Sequence, residues 1–313
     1  MAKLVIALGG NALQSGKDTP TAENQLAVVE RTCNHIAQLS AQGHELAVVH
    51  GNGPQVGRIL LSSELAADTV PVMPFDVCGA MSQGYIGYHI QQALRHALAR
   101  RNLPTPVVSL VTQMVVEKDD PAFRNPTKPI GGFYSREEAQ ALEREKGYAM
   151  KEDAGRGWRR VVASPLPRKI VELEQIRRLW DQSIVVTCGG GGIPVVEGLN
   201  GKLEGVAAVI DKDFAAQLLA EEMKAQVLMI LTEVEKVSLH WGKPNQQALD
   251  HVTLEEGAEY VAQGHFAPGS MLPKVLACMK FVRGDPTRRA IITSLDKALS
   301  ALNGETGTHF TFG

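Results

Sequence analysis

Three short apolar runs in this chain stop abruptly at glycine. Leu4-Val5-Ile6-Ala7-Leu8 runs into Gly9-Gly10-Asn11, and Leu46-Ala47-Val48-Val49-His50 runs into Gly51-Asn52-Gly53-Pro54. Ser183-Ile184-Val185-Val186-Thr187-Cys188 runs into Gly189-Gly190-Gly191-Gly192. Runs this short, with no alternation of polar and apolar residues, predict strands covered on both faces. Strands of that kind belong to parallel sheets whose crossovers are helices. Helical patterns are expected over 21–42, 81–100, 168–181, 211–224, 254–263, 270–282 and 296–302. Further strands are expected over 107–116, 227–231 and 290–293, and Asn200-Gly201 marks a hairpin turn. The alternation predicts an α/β fold: a three-layer αβα sandwich around a mostly parallel sheet.

One stretch, 117–165, departs from this rhythm. It carries Asp119-Asp120-Pro121 and Asn125-Pro126-Thr127-Lys128-Pro129, with a polar segment over 151–160. An insertion of that length in a compact fold reads as a lid protruding from the sheet.

Composition removes several function classes. With 32 Lys+Arg against 34 Asp+Glu the formal net charge is −2, so the chain lacks the broad positive field of a nucleic-acid binder. The four cysteines, Cys33, Cys78, Cys188 and Cys278, form no CxxC pair and are expected to be buried small hydrophobes. No apolar run approaches the length of a membrane span. The first run is too short for a signal segment, and a cytoplasmic location is expected.

Ligands of such sheets bind at the strand ends. Glycine turns there bring backbone N–H groups close to an anion, and a helix N-terminus behind them adds partial positive charge. Three such turns point to phosphate. Neither common nucleotide fingerprint fits, however. Gly51, Gly53 and Gly57 are spaced one residue too long for a dinucleotide loop. Gly10 to Gly16-Lys17-Asp18 has five residues between its glycines and Asp18 where a P-loop needs Ser or Thr.

Phosphoryl transfer needs cations around the transferred oxygens. Lys128 lies between two prolines, Lys212 opens a predicted helix between Asp211 and Asp213, and Lys274 follows Gly269-Ser270-Met271-Leu272-Pro273. A lysine taken alone is ordinarily a solvated surface charge. Asp213 has three readings at this level: a Mg²⁺ ligand, an organiser of the lysines, or a helix N-terminal charge.

The chain resembles the carbamate kinases, within the wider amino-acid-kinase superfamily. The resemblance lies in Ala7-Leu8-Gly9-Gly10-Asn11-Ala12-Leu13, His50-Gly51-Asn52-Gly53-Pro54-Gln55-Val56-Gly57 and Ser82-Gln83-Gly84-Tyr85-Ile86-Gly87-Tyr88. Asn125-Pro126-Thr127-Lys128-Pro129-Ile130-Gly131, Gly157-Trp158-Arg159-Arg160-Val161-Val162, Val209-Ile210-Asp211-Lys212-Asp213 and Gly269-Ser270-Met271 with Pro273-Lys274 continue it along the whole chain. It implies a single amino-acid-kinase domain. Residues 1–204 would bind the acceptor and include the 117–165 lid, and 205–313 would bind nucleotide. It implies a homodimer that reversibly converts ATP and carbamate to ADP and carbamoyl phosphate with Mg²⁺, serving ATP synthesis in arginine catabolism.

The same resemblance assigns Gly9, Gly10 and Asn11 to the transferred phosphoryl group. Gly51, Asn52 and Gly53 would hold carbamate. Lys128 would stand in for a first-strand lysine found elsewhere in the superfamily and absent from Val5-Ile6-Ala7-Leu8. Lys212 and Lys274 would balance phosphate charge, Asp213 would organise lysines and metal, and Leu231, Thr232, Val234 and Met271 would face the nucleotide. Ala207, Gln226 and Leu272 depart from the family pattern. Two further readings stay open at this level. One is a related kinase with another carboxylate or phosphonate acceptor, and the other is a non-catalytic nucleotide binder on the same fold.

Overall fold

The computed structural model describes residues 2–14, 19, 21–153 and 155–313, apart from the side chain of Asn11. Gly16, Lys17 and Asp18 of the rejected P-loop lie outside the described residues.

The three glycine-terminated runs become strands Lys3–Leu8, Glu45–His50 and Ile184–Val186. They sit in one eight-stranded sheet. Its spatial order is His251–Val252, Thr308–Phe310, Arg289–Ser294, Val227–Thr232, Lys3–Leu8, Glu45–His50, Ile184–Val186 and Val107–Ser109. Among the described residues the pairings within it are parallel, except that Arg289–Ser294 runs against Thr308–Phe310.

The absence of alternation now has its cause. In the first strand Val5 and Ala7 join one apolar cluster, with helices Leu173–Trp180, Lys212–Glu222 and Met271–Arg283. Leu4, Ile6 and Leu8 join the other, with helices Ala22–Ala41, Phe75–Ala99 and Ala298–Leu302. Both faces are covered, so every position is apolar. The three-layer αβα sandwich is as expected, and all four cysteines are buried. No helix among the described residues is long and apolar enough to cross a membrane.

Several element boundaries differ from the sequence reading. The expected strand 107–116 is two strands: Val107–Ser109 in the main sheet, and Gln113–Val115 in a second sheet with Leu203–Gly205, Ile193–Glu197 and Lys169–Ile170. The break has a donor and an acceptor. Thr112 N–H donates to Gln83 Oε1 at 2.7 Å, and Gln83 Nε2 donates to the Thr112 carbonyl at 3.0 Å. A side-chain amide thus takes the Thr112 N–H, while the Thr112 carbonyl is shared with Ile193 N–H of the second sheet at 2.8 Å. The helix expected over 168–181 begins only at Leu173, because Lys169–Ile170 is a strand of that second sheet. The apolar run 206–210 that leads to Lys212 is an extended segment with one bridge, Ala208 to Ala163. The Asn200-Gly201 turn closes the Ile193–Glu197/Leu203–Gly205 hairpin, with φ of +62° and +73°.

The 117–165 excursion is itself folded. Strands Lys128–Tyr134, Trp158–Val162 and Ala149–Glu152 form an antiparallel sheet. Helix Arg136–Lys146 packs beside it, opened by a Ser135/Glu138 capping box and closed by Gly147. The subdomain docks on helix Gly53–Leu65. Val56, Leu60 and Cys78 meet Ile130, Val162 and Val209 in a separate apolar cluster.

Candidate active site

Three adjacent strands deliver the glycine turns side by side. Gly9 N–H donates to the Leu231 carbonyl at 3.2 Å and Gly51 N–H to the Leu8 carbonyl at 3.1 Å. Each turn therefore leaves its strand while still bonded to the next. Asn52 follows as the N-cap of helix Gly53–Leu65. Its Nδ2 donates to Ser82 Oγ at 2.8 Å, and Ser82 Oγ donates to the Gly79 carbonyl at 2.6 Å. The amide of Asn52 is thereby fixed in orientation from behind.

Gly189 to Gly192 act in a way that sequence reasoning did not foresee. Their place after an apolar run groups them with the anion-binding turns, yet all four are buried, and what they permit is close packing. A Cβ on Gly189 would lie 2.3 Å from His50 Nε2, and one on Gly190 2.2 Å from Asn52 Nδ2. One on Gly191 would lie 2.3 Å from the Ile210 carbonyl. Gly190, at φ +65°, is in addition a left-handed position. The quartet backs the site and leaves Gly190 alone of the four on the wall of the cavity that Asn52, Lys128 and Lys212 line. His50, pressed against it, is lowered by burial to about 4, and its Nδ1–H donates to the Gly51 carbonyl at 2.9 Å. It is a neutral structural ring at physiological pH, not an acid–base group.

The lysines converge on two carboxylates. Helix Lys212–Glu222 begins at an Asp211 N-cap, whose Oδ1 accepts from Asp213 N–H at 2.9 Å. Asp211 Oδ2 accepts from Lys128 Nζ at 2.6 Å, across from the subdomain. Asp213, whose side chain is 2% exposed, accepts from Lys212 Nζ on one oxygen. Its other oxygen accepts from Lys274 Nζ at 3.1 Å. Lys274 Nζ also donates to the Ser270 carbonyl at 3.2 Å.

The electrostatics follow from this enclosure. Burial alone would raise the Asp211 carboxyl, but the charges of Lys128 and Lys212 and two hydrogen bonds hold it far below the usual carboxylate range. Burial lowers Lys212, Asp213 opposes that, and the Lys274 charge adds to it; the net direction is down. Burial also works against Lys274, but Asp213 and Asp211 outweigh it and the net direction is up. Three ammonium groups face two carboxylates, leaving the site positive before any anion enters.

Cavities thread through these groups. One of about 180 Å³ is lined by Gly10, Gly51, Asn52, Gly53, Lys128, Asp211, Lys212, Asp213 and Lys274, with Pro54, Pro129 and Ser270 at its walls. A second, of about 380 Å³, shares Gly10, Lys212, Ser270 and Lys274 and adds Gly9, Leu231, Thr232 and Met271. A third, of about 670 Å³, shares Thr232 and Met271 and adds Val234, Trp241 and His265. The structure thus brings together the residues singled out in sequence, Asn11's side chain aside. Sequence reasoning passed over Asp211 as a site residue because an Asp before a helix reads as a plain N-cap. Gly190 and Ser270 carried no separate signal.

Both Asp213 oxygens are engaged by ammonium groups. No cluster of three or more His, Cys, Asp or Glu residues suited to a metal occurs among the described residues. Mg²⁺ commonly binds through one or two carboxylates together with substrate phosphates. The donor set therefore fits an ion carried by a nucleotide better than a resident one.

Comparison with known proteins gives concordant results. The model of the amino acid kinase family matches residues 2–294. A carbamate kinase of Clostridium perfringens is 56% identical over 310 residues, 98% of this chain and 98% of its own length. One of Pyrococcus horikoshii is 51% identical over 312 residues, 99% of each. Among solved structures, carbamate kinase from Giardia lamblia bound to AMP-PNP superposes with a TM-score of 0.92 at 43% identity, covering 99% of this chain and 98% of that one.

Proposed function

The chain belongs to the carbamate kinases of the amino acid kinase family, and from that premise we propose that it transfers a phosphoryl group reversibly between ATP and carbamate, giving ADP and carbamoyl phosphate. One observation carries the reading at the level of this chain's own residues. Lys128, Lys212 and Lys274 converge, each held by Asp211 or Asp213, on a cavity of about 180 Å³. That size supports a small acceptor, and the larger cavities leading from it support a nucleotide.

Carbamate is already an anion, so its oxygen needs no general base, and neutral His50 is consistent with that. What remains is positioning and charge neutralisation. The turn Gly9-Gly10-Asn11 cradles the transferred phosphoryl, with Gly9 N–H held by the Leu231 carbonyl and the backbone beyond it open to the ligand. Gly51, Asn52 and Gly53 hold the acceptor at the N-terminus of their helix, where the dipole favours an anion. Lys212 and Lys274 balance charge that develops toward the β-phosphate, and Asp213 keeps both in place. Lys128 covers the acceptor side, with Asp211 as its counterion until substrate arrives.

Leu231, Thr232, Val234 and Met271 line the nucleotide's path, which divides the chain into an acceptor half, 1–204, and a nucleotide half, 205–313. Mg²⁺ enters with the nucleotide and neutralises phosphate charge. Flux toward ATP at the end of arginine catabolism and a cytoplasmic location are carried over from the resemblance. A homodimer is supported by exposed apolar side chains at Leu61, Leu65, Met73 and Met81.

The test is ATP formation from ADP and carbamoyl phosphate, with acetyl phosphate and acetylglutamyl phosphate in parallel. Mg²⁺-dependent ATP from carbamoyl phosphate in preference to the others is expected. No ATP above the enzyme-free rate from folded protein overturns the reading, and preference for another donor reassigns the acceptor.

A further inference from the structure

The 117–165 subdomain meets the body of the protein along one face of helix Gly53–Leu65. Lys128 stands near the start of that helix, where both line the same cavity. In the middle the contact is backbone to backbone: a Cβ on Gly57 would lie 2.2 Å from Gly131 Cα. At the last turn the contact is polar. The Glu64 side chain, 13% exposed, accepts from Lys146 Nζ at 2.9 Å, from Arg160 Nη1 at 3.5 Å and from the Tyr148 hydroxyl. The Arg160 guanidinium lies 3.5 Å from the Tyr148 ring centroid and 5.8 Å from that of Phe75. All three donors come from the subdomain; Glu64 and Phe75 come from the body.

This cluster has no part in the chemistry derived above. Glu64 is eleven residues beyond Gly53, about 16 Å along the helix axis. Yet it is built with care. Burial would raise the Glu64 carboxyl, but Tyr148, Lys146 and Arg160 bring it below its ordinary value. Burial and the bond to Glu64 push the Tyr148 hydroxyl up to about 12, so it remains a donor at neutral pH. The cluster is also rigidly tied to Lys128. Lys128 pairs with Val162, and Ile130 with Arg160, in the same antiparallel ladder. The latch residue Arg160 and the lid lysine therefore sit two positions apart on one sheet.

We propose that Glu64 is a positioning residue: it latches the Lys128-bearing sheet onto the helix whose N-terminus holds the acceptor, and so sets acceptor affinity without touching substrate. The proposal rests on the assignment of Lys128 to the acceptor side. Without the latch, the sheet is held at this face only by the Gly57–Gly131 contact, the apolar cluster around Val56 and Ile130 and the Lys128–Asp211 pair, and only the docked fraction presents Lys128 correctly. The apparent affinity for carbamoyl phosphate falls in proportion to that fraction, whereas ADP, bound beyond the opposite edge of the cavity, is unaffected.

The experiment compares Glu64→Ala, Glu64→Gln and Tyr148→Phe in the full chain. KM and kcat for carbamoyl phosphate are measured with the ADP dissociation constant and the rate of tryptic cleavage within 117–165. Glu64→Ala is expected to raise KM by about tenfold, the result of a docked fraction near one in ten, with ADP binding within about twofold of wild type. Glu64→Gln, whose amide oxygen still accepts from Tyr148, should recover part of the loss. Cleavage should be faster in Glu64→Ala. An unchanged KM, or equal losses of acceptor and ADP affinity, overturns the proposal. If Glu64→Ala does not fold, Glu64→Gln and Tyr148→Phe decide it, with wild-type KM in both as the overturning result. If wild type makes no ATP, the functional reading fails separately, and tryptic cleavage decides the latch: an unchanged rate refutes it.

Discussion

Asp213→Asn removes the charge shared by two buried lysines while keeping the side chain's shape. Lys274 Nζ is 3.1 Å from Asp213 Oδ2. At that separation, with an effective dielectric near 20, the Coulomb attraction is about 5 kcal/mol before solvent screening. The Lys212 and Lys274 side chains are only 11% and 15% exposed, so screening removes part of that and not most of it. An asparagine accepts from one ammonium and turns its NH₂ toward the other. Lys212 is already lowered by burial and by Lys274, with Asp213 the foremost opposing influence. Without it Lys212 falls further, so the lysine gives up its proton at a lower pH than in wild type.

The sign is fixed by chemistry. In the proposed role of Lys212 the protonated lysine is the active form; it persists below its lowered pKa and is lost as pH rises through it. Asp213→Asn should therefore cut turnover by about 10²–10³ near pH 9 and by less near pH 6, the scale for losing one preorganised charge partner. The assay is steady-state ATP formation across that range, with Lys212→Ala alongside. At high pH the two variants should converge. Turnover within about threefold of wild type throughout, or a deficit independent of pH, would refute the reasoning.

Lys128→Ala should lower kcat/KM for carbamoyl phosphate at least about tenfold, roughly 1.4 kcal/mol, while calorimetry finds ADP affinity nearly unchanged; equal losses would move Lys128 to the nucleotide site. Gly190→Ala puts a methyl group 2.2 Å from Asn52 Nδ2 at a φ of +65°. It should cost about 1–3 kcal/mol in denaturant unfolding and disturb acceptor binding, and wild-type stability would show that the site relaxes freely. Asp211 sits well below its ordinary pKa, so the stability it adds is full above the unfolded value, near 4, and fades as pH falls further. Asp211→Asn should flatten that acid limb in thermal melts between about pH 5 and 2; an unchanged limb would mean the pair contributes nothing to folding.

The main sheet was legible because its strands are covered on both faces, which leaves unbroken apolar runs in Lys3–Leu8, Glu45–His50 and Val227–Thr232. The glycine turns were legible for the same reason, since they follow those runs directly, whereas the lysines stood out only by their neighbours: two prolines around Lys128, two aspartates around Lys212 and a Gly-Ser-Met-Leu-Pro run before Lys274. The split at Thr112 was hidden because its cause, Gln83, lies 29 residues away on a helix. The 189–192 glycines looked like a phosphate loop because sequence does not distinguish a glycine that admits a ligand from one that admits Asn52. Glu64 reads as a solvated helix residue until the subdomain folds over it.

The first strand, Lys3–Leu8, lies between Glu45–His50 and Val227–Thr232. Gly9 accordingly emerges midway between the turn at Gly51, proposed for the acceptor, and the strand end at Thr232, proposed for the nucleotide. Adjacent strands stand about 4.8 Å apart, a spacing set by backbone hydrogen bonds and not by any side chain. On the assignment proposed above, the sheet is in that sense the ruler of the reaction, with donor, transferred group and acceptor on consecutive graduations. Side-chain substitution in the turns can change what is held at each mark, but not the distance between marks. A one-residue slip of the central strand would turn Val5 and Ala7 toward the opposite helical layer, so an error in the ruler unfolds the core before it can misplace a substrate.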